Sequence, residues 1–427
     1  MNRNVTDPQP LLFFCWLSLG MASLLGSILM LLMQPELLIG HAAMAPPVVA
    51  WTHLVMLGWL GSLFFAAGYQ LTPVVTLNPL ASRWMSRIHF ALHLIGVPVM
   101  VVAFETGRYA WLAASGSAVI LGFVLFAINA LLSAGPSSRW NHVSLPWFAA
   151  IFWMLAGALL ALMAVFMRLG WMESGNFQNV LGLHIHTMIG GFFLQLLIAA
   201  ASKLVPMFML SPEKPQHGTW IATILLNGVL FGAHFRMGEH SPLQRQMLMI
   251  GALLALLAYG GQLIYFARKK RRRWDAGMTL FYAAHLILLP AWWYGYQFHL
   301  ESNGASNPDL LRYSVFLTSL LVFTGCILGM AQKIVPFMLW HHLYSQYLGR
   351  AKVPQTLELL SAWTLWPIAW CWGVASLMFL LAFALHSMLL IQLGAAALLT
   401  AFALMLCNAP TIRSHWRSPK ISPFGAS

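Results

Sequence analysis

The stretch WTHLVMLGWLGSLFFAAGYQLTPVV, residues 51–75, returns in altered form as HIHTMIGGFFLQLLIAAASKLVPMF, residues 184–208, and its ending returns again as GCILGMAQKIVPFML, residues 325–339. In the first two, His53 and His186 each precede a glycine, Gly58 or Gly191, by 5 residues and a proline, Pro73 or Pro206, by 20. The prolines Pro73, Pro206 and Pro336 are spaced by 133 and 130 residues, and each follows a polar side chain, Gln70, Lys203 or Lys333, by three. A fixed long period of this kind marks a repeated structural unit. Around these segments the 427-residue chain is 60% apolar and only 8% charged, with a mean hydropathy of +0.74. Those values exclude a soluble globular domain, a disordered chain and a secreted disulfide scaffold.

A bilayer-crossing helix needs roughly 20 apolar residues. Apolar stretches between Pro, Gly or charged breaks fall at 11–33, 48–75, 88–104, 109–133, 146–168, 181–209, 218–236, 244–266, 277–298, 310–340, 357–380 and 383–407. The sequence therefore predicts an all-α polytopic membrane bundle of 12 transmembrane helices, with the repeat segments as the second, sixth and tenth. Twelve spans divide into three units of four, residues 1–140, 141–270 and 271–427, in a pseudo-threefold ring forming one integral membrane domain. The division near residue 382 is the least marked. Four single cysteines, Cys15, Cys326, Cys371 and Cys407, sit in apolar runs without a CxxC pair and read as buried small residues.

The net charge of +13 points to nucleic acid only in a soluble protein; here six of the positive charges form one run, Arg268 to Arg273, between two spans. With the N-terminus inside, 18 of the 23 basic residues fall on the cytoplasmic side, so both termini are expected there. The expectation is a multi-pass protein of a bacterial-type inner membrane, partnered by the lipid bilayer and not by nucleic acid. The N-terminal stretch lacks a small-residue cleavage site and reads as a retained first span.

Sixteen histidines against ten acidic residues are the chemical signal. Burying a charged group in lipid costs several kcal/mol, roughly, whereas neutral imidazole is tolerated and binds iron, copper and zinc. His53, His184 and His186 fall near the outer ends of the second and sixth helices. His184 and His186, two residues apart, point to opposite sides of their helix, about 200° around. His53 can then meet His184 while His186 turns toward the tenth helix. Two imidazoles from different helices at one depth make an axial-ligand pair for a haem; hydrogen-bonded core histidines are the competing reading. Gly58 and Gly191, with Gly61 and Gly190, would clear space for a porphyrin, although close helix packing explains them equally well. Arg236 and Arg312 are candidate propionate partners, and His234 is a further candidate metal ligand. His285 is a weaker one and His41 a minor one. His89 and His93, spaced i,i+4, are placed at the cytoplasmic end of the third helix as interfacial residues.

The motif His184-Ile185-His186 with Gly191 five residues on, and a lysine-containing end before Pro, resembles the tenth helix of the haem–copper oxidase catalytic subunit, including its nitric oxide reductase branch. HLVMLGW, His53 to Trp59, is similar to the HxxxLGW form of the C-family oxidases. The NnrS family, twelve-span proteins regarded as haem- and copper-containing and linked to nitric oxide stress, is a second resemblance in size and plan. The residue-level likeness is confined to the second and sixth helices. It implies one or two b-type haems, copper as a further cofactor, a cytochrome c or quinol donor, and a diatomic gas, O2 or NO, as ligand or substrate of an oxidoreductase. The chain departs from the oxidase pattern in two places. Ser314 and Phe316 occupy the tenth-helix slots equivalent to His184 and His186, and the seventh helix carries His234 without an adjacent histidine, so a complete copper centre is not expected. No CxxCH motif is present, so covalent haem is not expected either. Two other classes remain open: a transporter that moves copper or zinc on histidines, and a cofactor-free assembly partner of a respiratory complex.

Overall fold

The computed structural model describes residues 10–135, 140–235, 240–301 and 307–422. These residues form long helices joined by short loops: α1 (Pro10–Met33), α2 (Pro46–Thr76), α3 (Arg83–Glu105), α4 (Tyr109–Ser133), α5 (Ser144–Arg168), α6 (Phe177–Met209), α7 (His217–His234) and α8 (Pro242–Lys269). There follow α9 (Ala276–Leu286 and Leu288–Glu301), α10 (Pro308–Phe316 continuing through Tyr344), α11 (Ala362–Leu385) and α12 (Met388–Leu406). Among the described residues, eleven helices are long and apolar enough to cross a membrane. The exception is α7, whose 18 residues include His217, Asn227 and His234.

The helix ends follow local chemistry. Pro46, Pro242 and Pro308 stand in the first turn of α2, α8 and α10, where a missing N–H costs nothing. Ser241 and Gln244 form a capping box at the start of α8. Leu77, Leu210 and His386 end α2, α6 and α11 in the left-handed conformation, at φ of 57°, 51° and 49°. His386 is thus the break that the sequence marks only weakly, and it falls a few residues later than expected.

The repeat segments behave alike. Each of α2, α6 and α10 contains a π-helical stretch, Leu54–Gly61, Thr187–Leu194 and Leu317–Phe323, whose starts keep the same 133- and 130-residue offsets as the prolines. Widened turns of this kind recur at functional sites. These three helices are also the interior ones. Between 72% and 78% of their central residues are buried, against 50% or less for the other candidate spans. They meet around Phe64, Phe193 and Phe323, whose ring centres lie 5.2–6.2 Å apart, and Trp59 Nε1 donates to Thr324 Oγ1 across the junction at 2.9 Å.

Two expectations change. All four cysteines are free, but only Cys326 is buried and Cys407 is exposed; spans at the rim of a bundle face hydrocarbon, where a thiol needs no protein cover. His89 and His93 are fully buried, not interfacial. Ser82 caps α3 by accepting from Met85 N, so the helix begins well before residue 88 and carries both rings into the core. There Tyr69 Oη lies 2.9 Å from His89 Nδ1, and His93 Nε2–H donates to the π-helical carbonyl of Leu57 at 3.0 Å.

The loop after α6 carries an ion pair. Glu213 accepts from Lys203 Nζ at 3.1 Å and from His142 Nε2 at 3.3 Å. Partial burial pushes its carboxyl up, but Lys203 and His142 outweigh this and hold it below its ordinary 4.5. A carboxyl lowered on folding stabilises the protein above its unfolded value, and that stabilisation is lost as pH falls through the folded value. The wild type should therefore lose melting temperature as pH drops below about 4.5, and Glu213→Gln should flatten that limb while lowering stability at neutral pH slightly. A melt-versus-pH series in detergent reads both.

Candidate metal centre

Six helices, α2 to α6 and α10, enclose a cavity of about 290 Å³ at the end of the bundle where α2, α6 and α10 begin. His53 and His184 stand on its wall. His53 Nδ1–H donates to the carbonyl of Val49, one turn back on its own helix, at 2.8 Å. His184 Nδ1–H donates to Gly157 O on α5, also at 2.8 Å. Each bond fixes the tautomer and leaves Nε2 with its lone pair and no partner among the described residues, the state in which histidine ligates a metal. The two ring planes differ by 6° and their centres are 6.4 Å apart. Two imidazoles bound end-on to one ion by bonds of about 2 Å would stand with centres about 6.3 Å apart.

The remaining wall is mostly apolar, with Thr52, Tyr109 and two guanidiniums as its polar members. Met44, Met56, Met100, Met188, Phe104 and Phe193 line it, together with Arg168 and Arg312. Arg312 is buried; its Nη2 donates to Asp309 Oδ1 at 2.5 Å, its Nη1 donates to His41 O, and its Nε has no partner among the described residues. Arg168 lies over the Phe177 ring at 4.3 Å. A porphyrin is larger than this space, so the four thioether chains, the most adaptable apolar side chains, would turn aside to admit one. Two imidazoles with unpartnered Nε2 atoms at this ring separation, in a largely apolar surround, are a donor set that a haem could use.

His186 points away from this cavity, as the two-residue spacing requires. Its Nδ1–H donates to Gly182 O at 2.7 Å, and its Nε2 lies 3.1 Å from His299 Nε2 on α9. Nitrogens sharing one tetrahedral metal at bonds of about 2.0 Å lie about 3.3 Å apart, so this separation fits either a shared ion or one N–H···N bond. His234 stands beside the pair: its Nδ1–H donates to Leu230 O at 2.8 Å, and its Nε2 accepts from the Thr187 hydroxyl at 3.1 Å. No group of three or more His, Cys, Asp or Glu side chains in metal-holding geometry occurs among the described residues.

Gly58 and Gly191 lie elsewhere than on the cavity wall. A Cβ on Gly58 would meet Ser23 Oγ at 2.7 Å, and one on Gly191 would meet the Trp153 side chain at 2.5 Å. Their small size lets α1 and α5 approach α2 and α6. Arg236 lies outside the described residues. Both nitrogens of His285 are spent, Nδ1 on Phe281 O at 2.7 Å and Nε2 on Tyr259 Oη at 3.1 Å. His299 is the residue that the sequence did not single out, since no motif or repeat position marks it.

No protein-family model matches the chain, and no curated protein matches it.

Proposed function

We propose that this is a haem-binding membrane protein akin to a divergent haem–copper oxidase subunit I, with a b-type haem held between α2 and α6 by His53 and His184. The observation that carries this reading is the imidazole pair with near-parallel planes and centres 6.4 Å apart, each Nδ1 tied to a backbone carbonyl. Arg312 and Arg168 would pair with the propionates. Such a haem supplies one-electron transfer from a cytochrome c or quinol donor. The residues of this chain hold the ring, exclude water with Met and Phe side chains, and set the ligand tautomers.

The His186–His299 contact, with His234 alongside, supports a second centre on the far side of α6, for copper or for a five-coordinate haem that binds O2 or NO. Without three converging ligands among the described residues, a complete oxidase copper site is not part of the proposal. In this reading α7 also crosses the membrane, giving twelve spans in three units of four. The equal offsets of the π-helical stretches and of the prolines support that plan. The basic run after α8 supports a bacterial-type inner membrane with both termini cytoplasmic.

A reduced-minus-oxidised spectrum of purified protein, with metal analysis beside it, tests the proposal. The expected result is a low-spin b-type signal. Absence of any Soret band, with copper or zinc bound stoichiometrically, would replace the haem by the transporter reading. Neither haem nor metal, with wild-type behaviour after His53→Ala, would leave the assembly partner.

A further inference from the structure

The basic run is more structured than an orientation signal requires. Its backbone is tied to the end of α6: the N–H groups of Arg271 and Arg272 both donate to Met209 O at 3.2 Å. The Tyr265 hydroxyl adds a second tie, to Lys214 O at 3.0 Å. Among the described residues, none of the six cations from Arg268 to Arg273 is in an ion pair. The adjoining acid, Asp275, is taken up by Lys333 and by capping α9 through Met278 N. Like charges held this close, within one Debye length of about 8 Å, favour an anion between them.

Two further features say which anion. Trp274 is 43% exposed, packed edge-on against Tyr282 with Lys270 Nζ 5.4 Å from its ring centre, the placement of an aromatic anchor at a membrane surface. Met207, Leu210 and Ile264, at the same ends of α6 and α8, are also exposed. Exposed apolar side chains at the ends of α6 and α8 therefore adjoin a cationic loop that has no ion pair among the described residues. A free phosphate would need only the cations; the exposed apolar side chains suit acyl chains.

We infer that this loop is a binding site for an anionic phospholipid. The phosphodiester pairs with the Arg271, Arg272 and Arg273 guanidiniums, and the acyl chains lie along Met207, Leu210 and Ile264. This is independent of any haem.

The full-length protein is reconstituted in nanodiscs of phosphatidylcholine with or without phosphatidylglycerol, and lipid retained after detergent extraction is counted by native mass spectrometry. The wild type is expected to keep phosphatidylglycerol and to melt higher in its presence. R271Q/R272Q/R273Q keeps the stems but removes three charges; at about fivefold per charge, retention falls on the order of a hundredfold. R413Q/R417Q/K420Q, with equal charge loss elsewhere, retains the lipid. Equal loss in both variants would reduce the effect to net charge and overturn the site. A wild-type melting shift produced by millimolar inorganic phosphate alone would overturn the lipid assignment. If the triple variant melts below wild type in phosphatidylcholine, single substitutions are scored, and unchanged retention in all three rejects the proposal.

Discussion

Haem content falls about tenfold or more, on the proposed function, when either His53 or His184 is replaced by alanine, since even the groups behind a metal ligand change affinity by about 10–100-fold. The low-spin signal of the remaining fraction shifts to high spin as one axial ligand is lost. His186→Ala, two residues away, keeps the signal, because His186 Nε2 faces His299 and not the cavity. The three variants separate two pairings that a motif treats alike: His53 with His184 against His53 with His186. The geometry favours the first, with its ring centres 6.4 Å apart and planes 6° from parallel. If His186→Ala removes the low-spin signal and His184→Ala does not, the pairing is wrong even with haem present. The support behind His184 is testable too: Gly157 supplies its carbonyl from α5, so a change that shifts α5 should loosen the haem without touching a ligand.

Much of this site can be read from residues, because helix geometry is strict. Two histidines two positions apart must face opposite ways, and in the proposed ring of three units equivalent slots would share one rotational sense. The first fact separates His184 from His186 but leaves open which of them meets His53, and it did not foresee that His186 would turn to His299 on α9 and not to the tenth helix. The repeat was legible because Pro and Gly tolerate few neighbours and recur at fixed offsets. What was hidden depended on partners. A glycine announces that something comes close, but not what: Gly58 meets Ser23 and Gly191 meets Trp153, neither near in sequence. His299 has no counterpart in the other repeats and lies beyond the break in α9 at Ile287, so no pattern singled it out. The placement of His89 and His93 turned on where α3 begins. Hydropathy put the start at 88, whereas the Ser82 cap sets it at Arg83, and one turn decides between interface and core.

The crossing of α9 and α10 offers the sharpest test of the packing. A Cβ on Gly329 would lie 2.5 Å from the Gly277 carbonyl oxygen and 2.8 Å from Phe281 N. Both are backbone atoms in helices, so no side-chain rotation relieves the overlap and the helices themselves must separate. Overpacking in a close-packed interior costs about 1–3 kcal/mol, and Gly329→Ala should reach or exceed the upper end despite alanine's better helix propensity. Gly373, on α11, has nothing within 4 Å of the position a methyl group would take there, so Gly373→Ala should be neutral or stabilising by up to about 1 kcal/mol. The two substitutions, chemically identical, should shift the melting temperature in opposite directions, read by tryptophan fluorescence in detergent. The clash falls in the first segment of α9, before the break at Ile287, so Gly329→Ala should leave the His53–His184 signal in the folded fraction intact. Equal melting of Gly329→Ala and wild type would mean that α9 and α10 do not cross at this contact.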